Sequence, residues 1–488
     1  MKPFTRRKFI HLSAAASAAL LLDACLGRSG KGKDEQSIPP PVKDEPQSTA
    51  KEHPTPKLDL ADKNDSRYNT LRQGFNKRID KYPAAIALCT STADVVEAVR
   101  YAREQKFAIA VKSGGHSMEG FSCNDGGLVV NLSKMNTVEL LPDNKIKLGP
   151  GCTLSHLYDS ILPHGLLLPG GSCGTVAVGG LTLGGGYGLF SRSYGLTCDH
   201  LLEATMVDGN GDIHSTKDDA ELLWALKGGG TGNFGIVTEM TFCTQAAPAT
   251  LQAHYFKARK LTAEKAAEIL RIWMEVTPQL PASCFSGYVL NGSTLNILVT
   301  DHDAAKHDIA SLLQKLADVT DTFRSTRPTA LATMLRNYYG RPGPLYFRNS
   351  SAGFFKDHGT VAPFITDVFR VVVSTPGMIY QVNTLGGEVD NTMFAGQASY
   401  PHRGFPFISE VQAYWESPSQ DPRLAKATTE ILGITAQHGI TRQYVNYCSA
   451  EFNDWEHAYY GDNYARLQAI KKRFDPSDNI RHPQSVKA

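Results

Sequence analysis

Three glycine-rich segments between residues 112 and 237 constrain this chain more than any other feature. The first, Lys112-Ser113-Gly114-Gly115-His116-Ser117, directly follows the apolar run from Phe107 to Val111, which reads as a strand. The second runs Pro169-Gly170-Gly171-Ser172-Cys173-Gly174-Thr175-Val176-Ala177-Val178-Gly179-Gly180, then Gly184-Gly185-Gly186-Tyr187-Gly188 and Arg192-Ser193-Tyr194-Gly195. The third, Lys227-Gly228-Gly229-Gly230-Thr231-Gly232-Asn233-Phe234-Gly235-Ile236-Val237, ends in a strand. Glycine lets the backbone turn tightly and aim successive N–H groups at an anion, which suits the pyrophosphate of a dinucleotide. One Gly-Gly after a strand is more often a simple turn, but three such loops in one region imply an extended ligand approached by backbone along its length. A Rossmann unit needs Gly-x-Gly-x-x-Gly between a strand and a helix with an acidic residue about 20 positions on, and none of the three loops supplies that complete context, so that fold is disfavoured.

Composition narrows the remaining choices. The 488 residues predict two or three domains at about 150 residues each. With 42% hydrophobic residues, 20% charged and a net charge of +2, neither a nucleic-acid surface nor global disorder is indicated, and small molecules are the expected partners. Nine cysteines, an odd number in a long chain, argue against a disulfide scaffold, and no metal cluster is called for.

Outside the loops the periodicity predicts a helix capped at Ser91 and Thr92 with Val95, Ala98, Val99 and Ala102 on one face, and strands at 128–132, 137–141 and 145–148. A helix follows at 154–162, and Asp208-Gly209-Asn210-Gly211-Asp212 signals a hairpin. Several antiparallel pairs and no doubly wound sheet are expected there. Beyond Leu251 glycine loops become rare. Strands are expected at 252–256, 286–290 and 295–300, with helices at 263–276 and 305–316, a texture suited to a substrate pocket. Phe407 to Trp415 alternates as a strand should, which puts Glu410 and Gln412 on one face.

The N-terminus reads as an address. Arg6-Arg7 precedes an apolar run, 14–22, too short to span a bilayer. The pattern resembles a twin-arginine signal, which implies export of a folded, cofactor-loaded protein through the twin-arginine machinery. Leu22-Asp23-Ala24-Cys25 resembles a bacterial lipobox, with Cys25 as a lipid anchor and Asp23 unusual within it. Residues 26–65 are Lys, Asp, Glu, Ser and Pro, the composition of a solvated tether.

Two loops and the C-terminal segment together resemble the berberine bridge enzyme-like oxidases of the vanillyl-alcohol oxidase superfamily. The resemblance rests on Ser113-Gly114-Gly115-His116-Ser117, on Gly171-Ser172-Cys173-Gly174-Thr175-Val176, and on Gln443-Tyr444-Val445-Asn446-Tyr447 with Phe474-Asp475-Pro476. It implies an α+β fold: a split FAD-binding domain plus an α/β substrate domain with an antiparallel sheet. The divisions expected are a signal at 1–25, a linker at 26–65, FAD binding at 66–248, substrate binding at 249–440, and a segment at 441–488 that returns to the FAD domain.

The resemblance further implies FAD bonded to both His116 and Cys173. The rest of the cofactor site would be Ser113, Gly114, Gly115, Ser117, Thr175, Val176, Gly179, Gly180, Gly184, Gly185, Tyr187, Gly188, Gly232, Ile236, Val237 and Asn446. Tyr444 is implied as the base that takes a hydroxyl proton. Glu410 is the catalytic carboxylate of the substrate strand, with Gln412 as its alternative. A phenol with a reference pKa of about 10 needs neighbouring charge or concerted transfer to act as a base; a buried core aromatic is the other reading of such a tyrosine. Val176 stands where oxygen-using relatives carry a small residue, which implies molecular oxygen as acceptor and a sugar or alcohol as substrate. A dehydrogenase with a quinone or protein acceptor, or a surface binding lipoprotein, are the alternatives. Two departures are visible: Gly174 replaces a usual proline, and Met118 replaces a usual tyrosine.

Overall fold

The computed structural model describes residues 58–488. The signal, the lipobox and most of the linker lie outside the described residues. The first sheet has four strands in the order Leu60–Ala61, Ala85–Leu88, Leu128–Asn131 and Ile109–Lys112, the last three parallel. That parallel trio refines the expectation of antiparallel pairs. It forms because the helix Thr92–Gln105 crosses over one face and buries Val95, Ala98, Val99 and Ala102. Ser91 and Asp94 close a reciprocal cap at its start, and Lys106 ends it in the left-handed region at φ 59°. The left-handed Lys106 delays the next strand from the expected 107 to Ile109.

Five antiparallel strands follow, ordered Val138–Leu141, Lys145–Leu148, Gly235–Cys243, Leu201–Asp208 and Ile213–Ser215. The hairpin at 208–212 forms as read. The Asp208 carboxylate accepts the N–H groups of Asn210 and Asp212, and Gly211 supplies φ +91°. No doubly wound sheet is present among the described residues.

The third large sheet is antiparallel, ordered Thr322–Ser325, Thr250–Ala258, Thr294–Asp301, Cys284–Asn291, Met378–Thr384, Phe407–Trp415 and Tyr346–Phe355, with Thr329–Ala330 beside Thr250–Ala258. Helices Ala263–Val276, Ile365–Ser374 and Asp421–Gln437 bury their apolar stripes on one face. The helix expected at 305–316 begins later, at Ala310, because Asp303 and Lys306 close a turn and the Asp308 carboxylate takes the Ala310 N–H. The strand Phe407–Trp415 is buried on both faces rather than alternating in exposure, because it lies inside the sheet with helices on one side and the site on the other.

The last segment folds back on the first half. Ile480 bridges Ile109 in parallel, and the Lys471 ammonium, fully buried, donates to the Asn233 and Ile480 carbonyls and to the Asp475 carboxylate. A buried ammonium is tolerated only when its donors are matched in this way.

Candidate active site

A cavity opens between the glycine loops and the face of the large sheet opposite its helices. The backbone of Ser113–Ser117, Gly179, Gly180, Gly188 and Gly232 lines one side, and Phe285, Leu298 and Asn383 come from the sheet. Two kinds of glycine build it. At Gly188 a Cβ would sit 1.9 Å from the Gly170 carbonyl oxygen, and at Gly114 it would sit 2.9 Å from the Ala177 nitrogen, so the protein itself demands glycine at both. Gly180 is different: a Cβ there would meet only the Thr231 methyl at 3.9 Å, so it would project into open space. Glycine at such a position keeps backbone accessible to something other than protein.

His116 and Cys173 both line this cavity. The His116 ring stacks on Phe75 with centroids 4.2 Å apart and planes at 20°, and its Nε2 lies 3.0 Å from the Thr175 hydroxyl. Burial holds its pKa down at about 4, so the imidazole is neutral and keeps a nucleophilic lone pair at physiological pH. Cys173 is the opposite case. Burial, with the Glu410 carboxylate as a second cause, pushes its thiol up to about 12. The Gly174 departure has a local reason: its N–H donates to the Tyr339 carbonyl at 3.0 Å, and a Cβ would strike the Tyr339 ring at 2.7 Å. Proline could make neither accommodation.

Tyr444 is 2% exposed, and its phenolic oxygen accepts two N–H groups, from Gly186 at 2.9 Å and from Asn446 Nδ2 at 3.0 Å. Its own N–H donates to the Ser351 hydroxyl at 3.0 Å, which ties it to the edge strand of the sheet. Burial raises its pKa, while those two donors favour the phenolate. Gly184 and Gly185 serve this tyrosine: a Cβ on Gly184 would overlap the Asn446 amide, and one on Gly185 would meet the Tyr400 ring at 2.9 Å.

Glu410 is fully buried and does not line the cavity. It sits opposite Gln381 and Ser351 in register, and accepts from Asn349 Nδ2 at 2.8 Å. It is therefore not a solvent-exposed strand carboxylate. After burial, its charge is the next cause that raises the pKa of Cys173, Tyr187 and Tyr447. Gln412 connects by hydrogen bonds instead. Its Nε2 donates to Gln381 Oε1, Gln381 Nε2 donates to Asn383 Oδ1, Asn383 Nδ2 donates to the Tyr187 hydroxyl, and Tyr187 pairs with the Tyr447 hydroxyl at 2.8 Å.

Of the residues singled out from sequence, Ser113, Gly114, Gly115, His116, Ser117, Cys173, Val176, Gly179, Gly180, Tyr187, Gly188, Gly232, Val237, Tyr444 and Asn446 share this one cavity. Thr175 reaches it through His116. Ile236 is buried beneath the four-stranded sheet, off the lining. Met118 does line the cavity, with its carbonyl held by Asn76 and Arg78. Sequence reasoning missed Phe75, Gln381, Asn383 and Tyr339. The polar pair Gln381 and Asn383 in an otherwise apolar strand was the one visible signal.

The residues fit a flavin dinucleotide: a backbone-lined trough, open space at Gly180, a neutral histidine and a thiol on the same cavity. Residues 83–217 match the FAD binding domain model and residues 443–487 the model for berberine and berberine like proteins. An uncharacterised FAD-linked oxidoreductase of Bacillus subtilis (strain 168), YvdP, is 30% identical over 451 residues, 87% of this chain and 96% of the relative. A chitooligosaccharide oxidase of Gibberella zeae is 30% identical over 443 residues, covering 85% and 89%. Among solved structures, one of a chitooligosaccharide oxidase superposes with TM-score 0.79 at 25% identity over 88% of this chain and 97% of that one. An aclacinomycin oxidoreductase gives 0.81 at 25% over 88% and 99%.

Proposed function

The chain belongs to the berberine bridge enzyme-like FAD-linked oxidoreductases, and we propose that it is an oxidase with FAD bonded to both His116 and Cys173, acting on a hydroxyl-bearing carbon of a sugar or alcohol. The observation that carries this reading is the convergence of His116, Cys173 and Tyr444 on one cavity. FAD, when bound, supplies the acceptor for hydride from the substrate carbon and passes the electrons to molecular oxygen.

The chain's own residues do the rest. Gly179, Gly180 and Gly232 bring backbone close to the cofactor without side-chain interference. Tyr444 takes the hydroxyl proton at its phenolic oxygen. Only its phenolate form can accept that proton, and burial opposes that form. The N–H groups of Gly186 and Asn446 point at that oxygen and counter the burial by stabilising the phenolate before the proton arrives. Asn383, Tyr187 and Tyr447 offer polar groups to the substrate, and Glu410 orients this set through charge. Val176, small and on the lining, leaves access for oxygen.

An oligosaccharide is the favoured substrate class, in line with the chitooligosaccharide oxidase relative. The reading includes export by the twin-arginine route to the periplasm or cell surface, with Cys25 as the lipid anchor, and the domain divisions at 66–248, 249–440 and 441–488. Its test is rapid mixing with a panel of sugars and aromatic alcohols. Bleaching of the flavin by a sugar, followed by fast recovery with oxygen, is expected. Bleaching with recovery only on adding a quinone would reassign the chain as a dehydrogenase, and no bleaching with any of them would leave the binding-protein alternative.

A further inference from the structure

We propose that Phe75 and Thr175 are positioning residues for cofactor attachment at His116: Phe75 fixes the plane of the imidazole and Thr175 fixes which nitrogen carries the proton. The inference rests on the histidyl anchor proposed above.

Phe75 comes from outside all three glycine loops, from a stretch held in place on both sides. Its N–H donates to the Gly115 carbonyl at 2.9 Å, and its carbonyl accepts the Leu345 N–H at 3.0 Å. Lys77 N–H returns to the Leu345 carbonyl at 2.7 Å. The Lys112 ammonium, at the head of the first glycine loop, donates to the carbonyls of Leu71 and Gln73 at 2.7 and 2.5 Å. Gly74 must be glycine, since a Cβ there would lie 2.9 Å from the Gly115 oxygen. The stretch is therefore clamped between the His116 loop and the strand Tyr346–Phe355, with Phe347 edge-on to Phe75 at 6.2 Å. A ring stacked at 4.2 Å on such a braced partner loses most of its freedom to rotate.

The tautomer follows from Thr175. A neutral imidazole has one N–H and one lone pair. Nε2 is engaged by the Thr175 hydroxyl at 3.0 Å, and the Thr175 backbone also acts in the sense that favours a ring N–H. We assign the proton to Nε2, donating to Thr175, which leaves the lone pair on Nδ1 for the cofactor. Attachment forms one bond from Nδ1 to the flavin 8α carbon, and breaks one C–H bond at that carbon and the Nε2–H bond. The two protons and two electrons released pass through the ring system to molecular oxygen, the acceptor already proposed, as hydrogen peroxide.

The experiment uses the full chain carrying Cys173→Ala, so that the remaining covalent link is the one to His116. Protein made under flavin-limited growth is given FAD, and acid-stable flavin is followed in time beside total bound flavin. Phe75→Ala and Thr175→Val should each slow formation of acid-stable flavin about 3- to 10-fold, the scale of one aromatic pair or one hydrogen bond, with total bound flavin unchanged. Phe75→Tyr and Thr175→Ser should restore the parent rate. Should Phe75→Ala fail to fold, Phe75→Leu keeps the volume without the aromatic face and is expected to show the same split. Attachment at the parent rate in these variants, or a loss matched by equal loss of bound flavin, overturns the inference. No acid-stable flavin in the Cys173→Ala parent overturns the histidyl anchor itself, and this inference with it.

Discussion

The two sides of the cavity are built by opposite means. The glycine side is backbone, and its shape depends on side chains being absent at Gly114, Gly180 and Gly188. The sheet side is side chains, and its shape depends on amides and phenols joined in a chain from Gln412 to Tyr447. On the proposed function the difference separates two tasks: holding a large cofactor whatever its substrate, and choosing and deprotonating a substrate. Tyr444 stands where the two meet, with its oxygen held by a backbone N–H from the glycine side and its own N–H held by Ser351 from the sheet.

That meeting point gives the largest expected effect. Tyr444→Phe removes the proposed proton acceptor and keeps the ring, so flavin reduction in rapid mixing should fall about 10²- to 10⁴-fold, with little change in bound flavin or in reoxidation by oxygen. Glu410→Gln should cost less, because the carboxylate acts at a distance through charge. A greater loss in Glu410→Gln than in Tyr444→Phe would move the base from the junction into the sheet.

Next come the glycines, which separate what the protein needs from what the cofactor needs. Gly188→Ala drives a methyl into the Gly170 carbonyl and should destabilise the fold by about 1–3 kcal/mol in thermal or denaturant unfolding. Gly180→Ala meets no close protein atom, so stability of the flavin-free chain should hold while flavin content falls. Equal flavin content in Gly180→Ala and the unaltered chain would mean that side is shaped for packing alone.

These contrasts also explain what could be read from the sequence. The loops, the cap at Ser91, the hairpin at 208–212 and the helix 263–276 are local, and each announced itself in neighbouring residues. That His116, Cys173 and Tyr444 share one cavity was legible because each sits in a short recognisable motif. Gln381 and Asn383 were not, since they join parts of the chain that are far apart: Gln381 faces Glu410 and bonds Gln412 across the strand pair, and Asn383 bonds Tyr187 of the second glycine segment. Phe75 was hidden for the same reason, as its stack on His116 joins segments far apart in the chain. Tyr339 is what makes Gly174 sensible, and nothing near Gly174 in sequence says so.

A smaller effect concerns pH. His116, His402 and His482 are buried and neutral, with burial holding their pKa values at about 4, about 3 and about 4. An unfolded imidazole takes up a proton below about 6.5, which these folded ones resist. The unfolded chain therefore binds more protons between about pH 6.5 and 4, so stability is full above that range and declines as pH falls through it, by at most about 1.4 kcal/mol per pH unit for each imidazole. Urea midpoints measured from pH 7.5 to 4.5 should fall accordingly. A flat profile would place protons on these rings in the folded state.

The most direct measurement is proteolysis of the acid-precipitated protein followed by mass analysis of the flavin-bearing material. The structure sets His116 and Cys173 on one cavity in different states, a neutral imidazole and a thiol held protonated by burial and by Glu410. The account predicts one FAD bridging the peptide that contains His116 and the peptide that contains Cys173, with attachment at Cys173 the slower of the two and faster at higher pH. Release of all flavin on precipitation, or a flavin bonded to neither peptide, would contradict it.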